Sequence, residues 1–142
     1  MTRTETRELA FELLYSLEIQ KIEQEEYNNQ IELFLTEQNI NQEKVIEYIT
    51  ETVNGIEKNK EKILDLISQN LKEKWNIERV SKVNLTVLKL ATYEIIYTKI
   101  PYKVVVNEAV EIAKKYGDDN SPSFINGVLA NIIKQEGITD EE

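Results

Sequence analysis

The chain reads as an all-α protein, and three observations lead there. It has four glycines and two prolines in 142 residues, too few breakers for the turns of a many-stranded β fold. Apolar residues recur at three-to-four spacing along nearly its whole length. One segment, Val83–Thr98, is apolar around most of its circumference, the pattern of a helix enclosed by other helices.

Taken in order, the first helix should run from about Glu5 to Gln20. Leu9, Phe11, Leu13, Leu14, Leu17 and Ile19 would turn inward, with Thr2 or Thr4 as cap. A second covers about Glu25–Gln38 through Ile31, Phe34 and Leu35, and Asn39–Asn41 breaks the chain. From Gln42 the apolar phase Ile49, Val53, Ile56, Ile63, Ile67, Leu71 persists across Gly55 and Asn59, predicting one long or kinked helix to about Leu71. Trp75 is large enough to be wedged between helices. Val83–Thr98, with Asn84 as its N-cap, would be the central helix of the C-terminal half. Pro101 closes that segment and opens the next, whose stripe is Val105, Ala109, Ile112 and Tyr116. Gly117 stands where a left-handed C-cap is wanted. Ser121-Pro122 reads as an N-cap followed by proline at the first helical position, starting a helix that buries Ile125, Val128, Leu129, Ile132 and Ile133. Gly127 inside it costs about 1 kcal/mol relative to alanine, which suggests close approach of another backbone. Residues 137–142, GITDEE, read as a frayed acidic tail. The sum is about six to seven helices, an N-terminal half over about 1–75 and a C-terminal half over about 76–136.

Composition removes most chemistry. With no cysteine there is no disulfide or thiolate metal site, and with no histidine the commonest general base and metal ligand are absent. No nucleophile motif or phosphate loop is visible. Glu108 lacks a partner acid or ligand set, so Asn107 and Glu108 are expected to hold backbone. Tyr93 is expected to anchor a helix interface, with Glu94 pairing a nearby cation. The chain should not be an enzyme, and no cofactor or metal is expected. No apolar run approaches the roughly 18 residues that span a bilayer, and MTRTETRE lacks a signal-peptide core. The expected location is cytoplasmic, with no membrane contact.

Net charge is −9, which by itself argues against nucleic acid, but the distribution is uneven. Residues 1–40 are net −6, whereas Lys72–Lys103 holds seven basic side chains (Lys72, Lys74, Arg79, Lys82, Lys89, Lys99, Lys103) against Glu73, Glu78 and Glu94. Salt screens charges beyond about 8–10 Å, so a basic face on an acidic protein is physically sound.

The strings IPYKVVVNEAVEIAKKYG and SPSFINGVL, with VLKLATYEI at Val87–Ile95 and RELAFELLYS at Arg7–Ser16, resemble the NusB family of bacterial transcription antitermination factors. The resemblance spans nearly the whole chain and is strongest from Trp75 to Leu129. It implies two small helical bundles packed together. It also implies an RNA-binding adaptor that pairs with NusE, a ribosomal protein, binds boxA RNA as a single strand, and acts on the RNA polymerase elongation complex indirectly during ribosomal RNA transcription.

On that resemblance the RNA-binding residues are Arg3, Arg7, Lys89, Tyr102, Lys103, Ser121 and Phe124. Single-stranded RNA needs cations for its backbone and flat rings for its bases. Phe124 offers a ring and Ser121 a polar group where a helix N-terminus attracts phosphate. Val83, Asn84 and Leu88 are the expected NusE-facing residues. The chain departs from the family in several places. The usual arginine-rich N-terminus is reduced to Arg3 and Arg7 among glutamates. Lys89 replaces an arginine and so loses its bidentate fork. Leu85 stands where many relatives carry a basic residue, Asn84 where they carry an acid, and Asn120 where an acid is frequent beside Asp118 and Asp119. These changes imply weaker RNA binding by the chain alone. Two other readings compete. One is the RNA-recognition module of a ribosomal RNA cytosine methyltransferase, disfavoured because no cofactor loop or cysteine nucleophile follows. The other is a protein-only interaction module, a homodimer among its forms, favoured by the sparse arginines.

Overall fold

A computed structural model of the chain describes residues 1–72 and 76–139. Among them are seven α-helices, two one-turn 3-10 helices and no strand. Contacts group the chain into two compact units, Met1–Lys58 and Asn59–Glu142. The division falls earlier than the one near residue 75 read from the sequence, because the helix after Asn59 packs with the C-terminal helices. Trp75 and the acidic end at 140–142 lie outside the described residues.

The first unit is a three-helix assembly of α1 (Arg3–Gln20), α2 (Tyr27–Glu37) and α3 (Glu43–Lys58). Thr2 starts α1 with a reciprocal capping box. Its Oγ1 accepts from the Glu5 N–H at 3.1 Å, and Glu5 Oε1 accepts from the Thr2 N–H at 2.8 Å. The Thr2 N–H on the carboxylate, aided by the Thr2 side chain, holds the Glu5 carboxyl below its usual pKa. The core joins Ala10, Leu13 and Leu17 of α1 to Ile31 and Leu35 of α2, Ile40, and Val45, Ile49 and Val53 of α3. Each leucine, isoleucine or valine among them, removed from water, contributes roughly 1.5–3 kcal/mol. Ile19, expected inward, is 45% exposed, while Leu9 and Leu14 are half-buried. Two ends close through left-handed residues that are not glycine, Lys21 (φ 53°) and Asn39 (φ 54°). In each case the next N–H reaches back to the final turn, Ile22 to the Leu17 carbonyl at 3.1 Å and Ile40 to that of Leu35 at 3.0 Å. The pattern satisfies carbonyls the helix leaves unpaired. A one-turn 3-10 helix at Gln24–Glu26 takes the place of the expected start of α2.

The one long or kinked helix expected from Gln42 to Leu71 is divided at Asn59 into two helices, the second beginning at Lys60. Asn59 leaves the helical region at φ −107°, ψ 18°, and asparagine's tendency to bond local backbone makes it a poor interior residue. The second unit therefore begins with α4 (Lys60–Gln69) and continues through α5 (Lys82–Tyr97), α6 (Tyr102–Tyr116) and α7 (Ser121–Gln135). As its apolar circumference requires, α5 is central and packs against α4, α6 and α7. Val87, Leu88, Leu90, Ala91 and Ile95 are buried along it, and so are Thr86, Thr92 and Glu94. Its cap is Ser81, not Asn84, because Ser81 Oγ accepts from the Asn84 N–H at 3.1 Å. In α6, Val105, Ala109 and Ile112 are buried as read from the sequence, and in α7 Ile125, Val128, Leu129 and Ile132 are. Gly137 (φ 65°) is no frayed end but closes α7, with the Ile138 N–H on the Ile133 carbonyl at 3.1 Å.

Two glycine expectations change. Gly117 is extended, at φ −94° and ψ −165°, rather than left-handed. It is required by crowding: a Cβ there would lie 2.6 Å from Ser121 Cβ and 2.9 Å from the Ala113 carbonyl oxygen. Gly127, expected to mark close backbone approach, is exposed, and a Cβ there meets nothing within 4 Å. Gly127→Ala is therefore expected to stabilise the protein by about 0.5–1 kcal/mol in chemical denaturation, through helix propensity and a less flexible unfolded chain.

Candidate nucleic-acid interface

Residues 101 to 124 build the site from two helix starts and one turn. Pro101 fixes the chain's entry into α6, and the Val104 and Val105 N–H groups both return to its carbonyl, at 3.0 and 3.2 Å. Tyr102 and Lys103 are thus the first two residues of α6, the ring half-buried and the ammonium exposed. No acid occupies that first turn, so no side chain of the turn itself offsets the helix's positive end.

At the far end of α6 the chain turns through Gly117–Asn120. Asp118 Oδ1 accepts from the Asn120 N–H at 2.9 Å and from Ser121 Oγ at 3.3 Å, and Ser121 Oγ accepts from the Asp118 N–H at 3.1 Å. This closed turn changes two expectations. Ser121 is 1% exposed and its hydroxyl is consumed holding the turn, so it does not face solvent as an RNA ligand. The N-cap is Asn120, Ser121 being the first helical residue and Pro122 the second. Asp118 nevertheless remains exposed, and with Asp119 it sets two carboxylates beside the start of α7. Phe124 follows, half-buried, its N–H on the Asn120 carbonyl at 3.1 Å.

Helix α5 is joined to α6, and α6 to α7, by four-residue links, and each pair packs together. Short links between packed helices make them antiparallel neighbours. With a rise of about 1.5 Å per residue, the 15-residue α6 is about 22 Å long. Lys103 and Phe124 therefore stand toward opposite ends of the α6–α7 pair, and no single nucleotide touches both. The basic window divides likewise. Arg79 and Lys82 stand at the start of α5 and Lys99 and Lys103 beyond its end, about 24 Å along the 16-residue helix, outside one another's screening distance. Half-buried Lys89 lies between them.

Of the N-terminal arginines only Arg3 is exposed; Arg7 is 3% exposed and withdrawn from the surface. Its spacing of four from Phe11, itself 1% exposed, places both on one α1 face, the sequence signal for that burial. Among the expected partner-facing residues, Leu88 is fully buried at 0% exposure and has no surface to offer. Val83 and Asn84 are half-buried, and Asn84 Oδ1 is out of solvent with no hydrogen bond among the described residues. That oxygen carries a desolvation cost of about 1–3 kcal/mol until a donor reaches it. The sequence reading also missed Tyr97, which is 37% exposed and stacks on Tyr93 with centroids 5.7 Å apart. The i, i+4 spacing of two rings on α5's least buried side was the available signal.

These features give an all-helical protein that exposes Tyr97, Lys99 and Lys103 where α5 ends and α6 begins. The sequence pattern of the NusB family matches residues 4–134. The transcription antitermination protein NusB of Clostridium novyi is 48% identical over 136 residues, covering 94% of this chain and 99% of the relative. That of Clostridium acetobutylicum is 44% identical over 140 residues, covering 94% and 96%. Among solved structures, T. maritima NusB superposes with a TM-score of 0.85 at 40% identity, over 95% of this chain and 92% of that one. A chain from the crystal structure of antitermination factors NusB and NusE in complex with double-stranded RNA gives 0.82 at 28% identity, over 95% and 99%. The chain belongs to the NusB family. The relatives it matches are named as transcription antitermination proteins and not as enzymes.

Proposed function

We propose that the chain is a cytoplasmic transcription antitermination factor that pairs with NusE, binds boxA RNA and acts through that complex on RNA polymerase during ribosomal RNA synthesis. The observation that carries this is the match, over nearly the full length of both chains, to a structure that holds NusB, NusE and RNA together. No helix among the described residues is long and apolar enough to cross a membrane. Arg3, Lys89, Tyr102, Lys103 and Phe124 are the RNA-facing residues of this reading, and Val83 and Asn84 its NusE-facing ones, with a NusE donor completing Asn84 Oδ1. Arg7, Ser121 and Leu88 do not take part directly, for the reasons of burial given above. The match to a relative named as an antitermination protein over 99% of its length favours this reading over a methyltransferase module.

The test is titration of boxA and scrambled RNA against the chain with and without NusE. With Arg7 buried, Arg3 alone serves as the exposed N-terminal arginine, so the expected result is weak binding alone and much tighter binding with NusE. Equal affinity in both cases would refute the dependence on NusE. Within the complex, Phe124→Ala is expected to cost about 1–3 kcal/mol with an unchanged salt slope, as a lost base stack does. Lys103→Ala should lower the slope by about 0.7, as one lost phosphate contact to a single strand does. Because the two side chains stand well apart, the double variant should show the sum of the single effects within about 0.5 kcal/mol.

A further inference from the structure

The C-terminal end of α5 carries a ring pair that is not among the RNA-facing residues above. Tyr93 and Tyr97 stack with ring planes 26° apart, and Tyr97 is among the few large hydrophobic side chains left exposed, at 37%. It is also the last residue of α5. Thr98 fixes that end: its Oγ1 donates to the Glu94 carbonyl at 2.6 Å and accepts from the Ile100 N–H at 3.3 Å. The ring is therefore held on a closed turn rather than on a loose end. Lys99 and Lys103, both exposed, follow within six residues.

Along the sequence on either side of the ring the exposed charge is of one sign. From Arg79 to Lys103 the only acid is Glu94, and it is 1% exposed. In a chain with 26 acidic against 17 basic residues, a stretch of that length without an exposed carboxylate stands apart from the rest of the surface. The exposed charges that the chain places next to the ring in sequence, Lys99 and Lys103, suit a polyanion better than a basic protein. Rings interleaved with cations are what sequence-tolerant single-strand binding uses, the ring stacking a base and the cations tracking the backbone.

We propose that Tyr97, backed by Tyr93 and flanked by Lys99 and Lys103, is a base-stacking platform for an unpaired stretch of the bound RNA. This rests on the reading of the chain as an RNA-binding factor and deepens it. With Tyr102 it gives two rings at the end of the α5–α6 pair remote from Phe124, so one strand contacts both ends of the unit.

The test uses the full chain with NusE and an RNA carrying boxA with unpaired nucleotides on both sides. Tyr97→Ala is expected to weaken binding roughly 5- to 100-fold, the loss of one base–ring stack. Tyr97→Phe should bind nearly as the unsubstituted chain does, because the ring remains. Lys99→Ala should lower the salt slope by about 0.7. Replacing the flanking uridines by 5-iodouridine should yield a photocrosslink to Tyr97 that mass spectrometry locates. Helical circular dichroism of Tyr97→Ala should match that of the parent. If Tyr97→Ala binds like the parent while Phe124→Ala is weakened, this platform is wrong and the RNA reading stands. If the unsubstituted heterodimer ignores the RNA, both fail. Loss of NusE affinity instead of RNA affinity in Tyr97→Ala would assign the rings to a protein contact and overturn the proposal.

Discussion

Leu88→Ala is expected to destabilise the second unit by roughly 2–5 kcal/mol, the range for truncating a fully buried leucine where the surroundings collapse only in part. Leu88 has 0% exposure on the helix that α4, α6 and α7 all pack against, so few neighbours are free to move into the space. Urea denaturation followed by circular dichroism would measure the loss. The same variant decides what Leu88 does. If it lay on a partner-facing surface, truncation would weaken NusE binding and leave the denaturation midpoint near that of the parent. A core residue does the reverse under conditions where the variant is still folded. A midpoint within about 0.5 kcal/mol of the parent, the range typical of surface substitutions, would contradict the burial.

The sequence alone leaves Leu88 either role. Periodicity told correctly that α5 is enclosed, because a helix apolar on nearly all sides has no solvent face to advertise. It could not rank the residues within that circumference. Arg7 shows the converse. A charged residue in the first turns of a helix reads as exposed by type, and only its i, i+4 relation to Phe11 speaks for burial. The left-handed closure at Lys21 was unreadable in principle, since an L-residue with a long side chain is not favoured there and gives no local signal. Ser121-Pro122 does mark a helix start, but the helix begins one position earlier than those residue types suggest. The reason is the Asp118 carboxylate, which takes up the serine hydroxyl in a side-chain turn and so moves the capping position back to Asn120. Among the candidate site residues, chemistry by type was legible and relative position was not. Phe124 and Lys103 each stand at a helix start, but the antiparallel course of α6 and α7 puts those starts at different ends.

That same turn gives the second large effect. Gly117→Ala is expected to cost about 1–3 kcal/mol, the usual penalty for forcing extra atoms into a filled site, because the new methyl would lie 2.6 Å from Ser121 Cβ and 2.9 Å from the Ala113 carbonyl oxygen. Neither neighbour yields readily. The carbonyl accepts the Gly117 N–H at 2.9 Å, and Ser121 is held in place by its paired bonds with Asp118. The cause is separable from the usual explanation of a helix-terminal glycine. At a left-handed position asparagine would be tolerated better than alanine, whereas at φ −94° Gly117→Asn should be no better than Gly117→Ala. Removing the obstructing side chain should relieve part of the clash, so Gly117→Ala is expected to cost less in a Ser121→Gly background than in the parent. Denaturation of the four proteins in that cycle measures the coupling. Additive costs would show that crowding against Ser121 is not what keeps glycine at this position. Because the turn sets where α7 begins, the single variant should also displace Phe124 and weaken RNA binding in the presence of NusE, although Gly117 itself carries no group that an RNA would recognise.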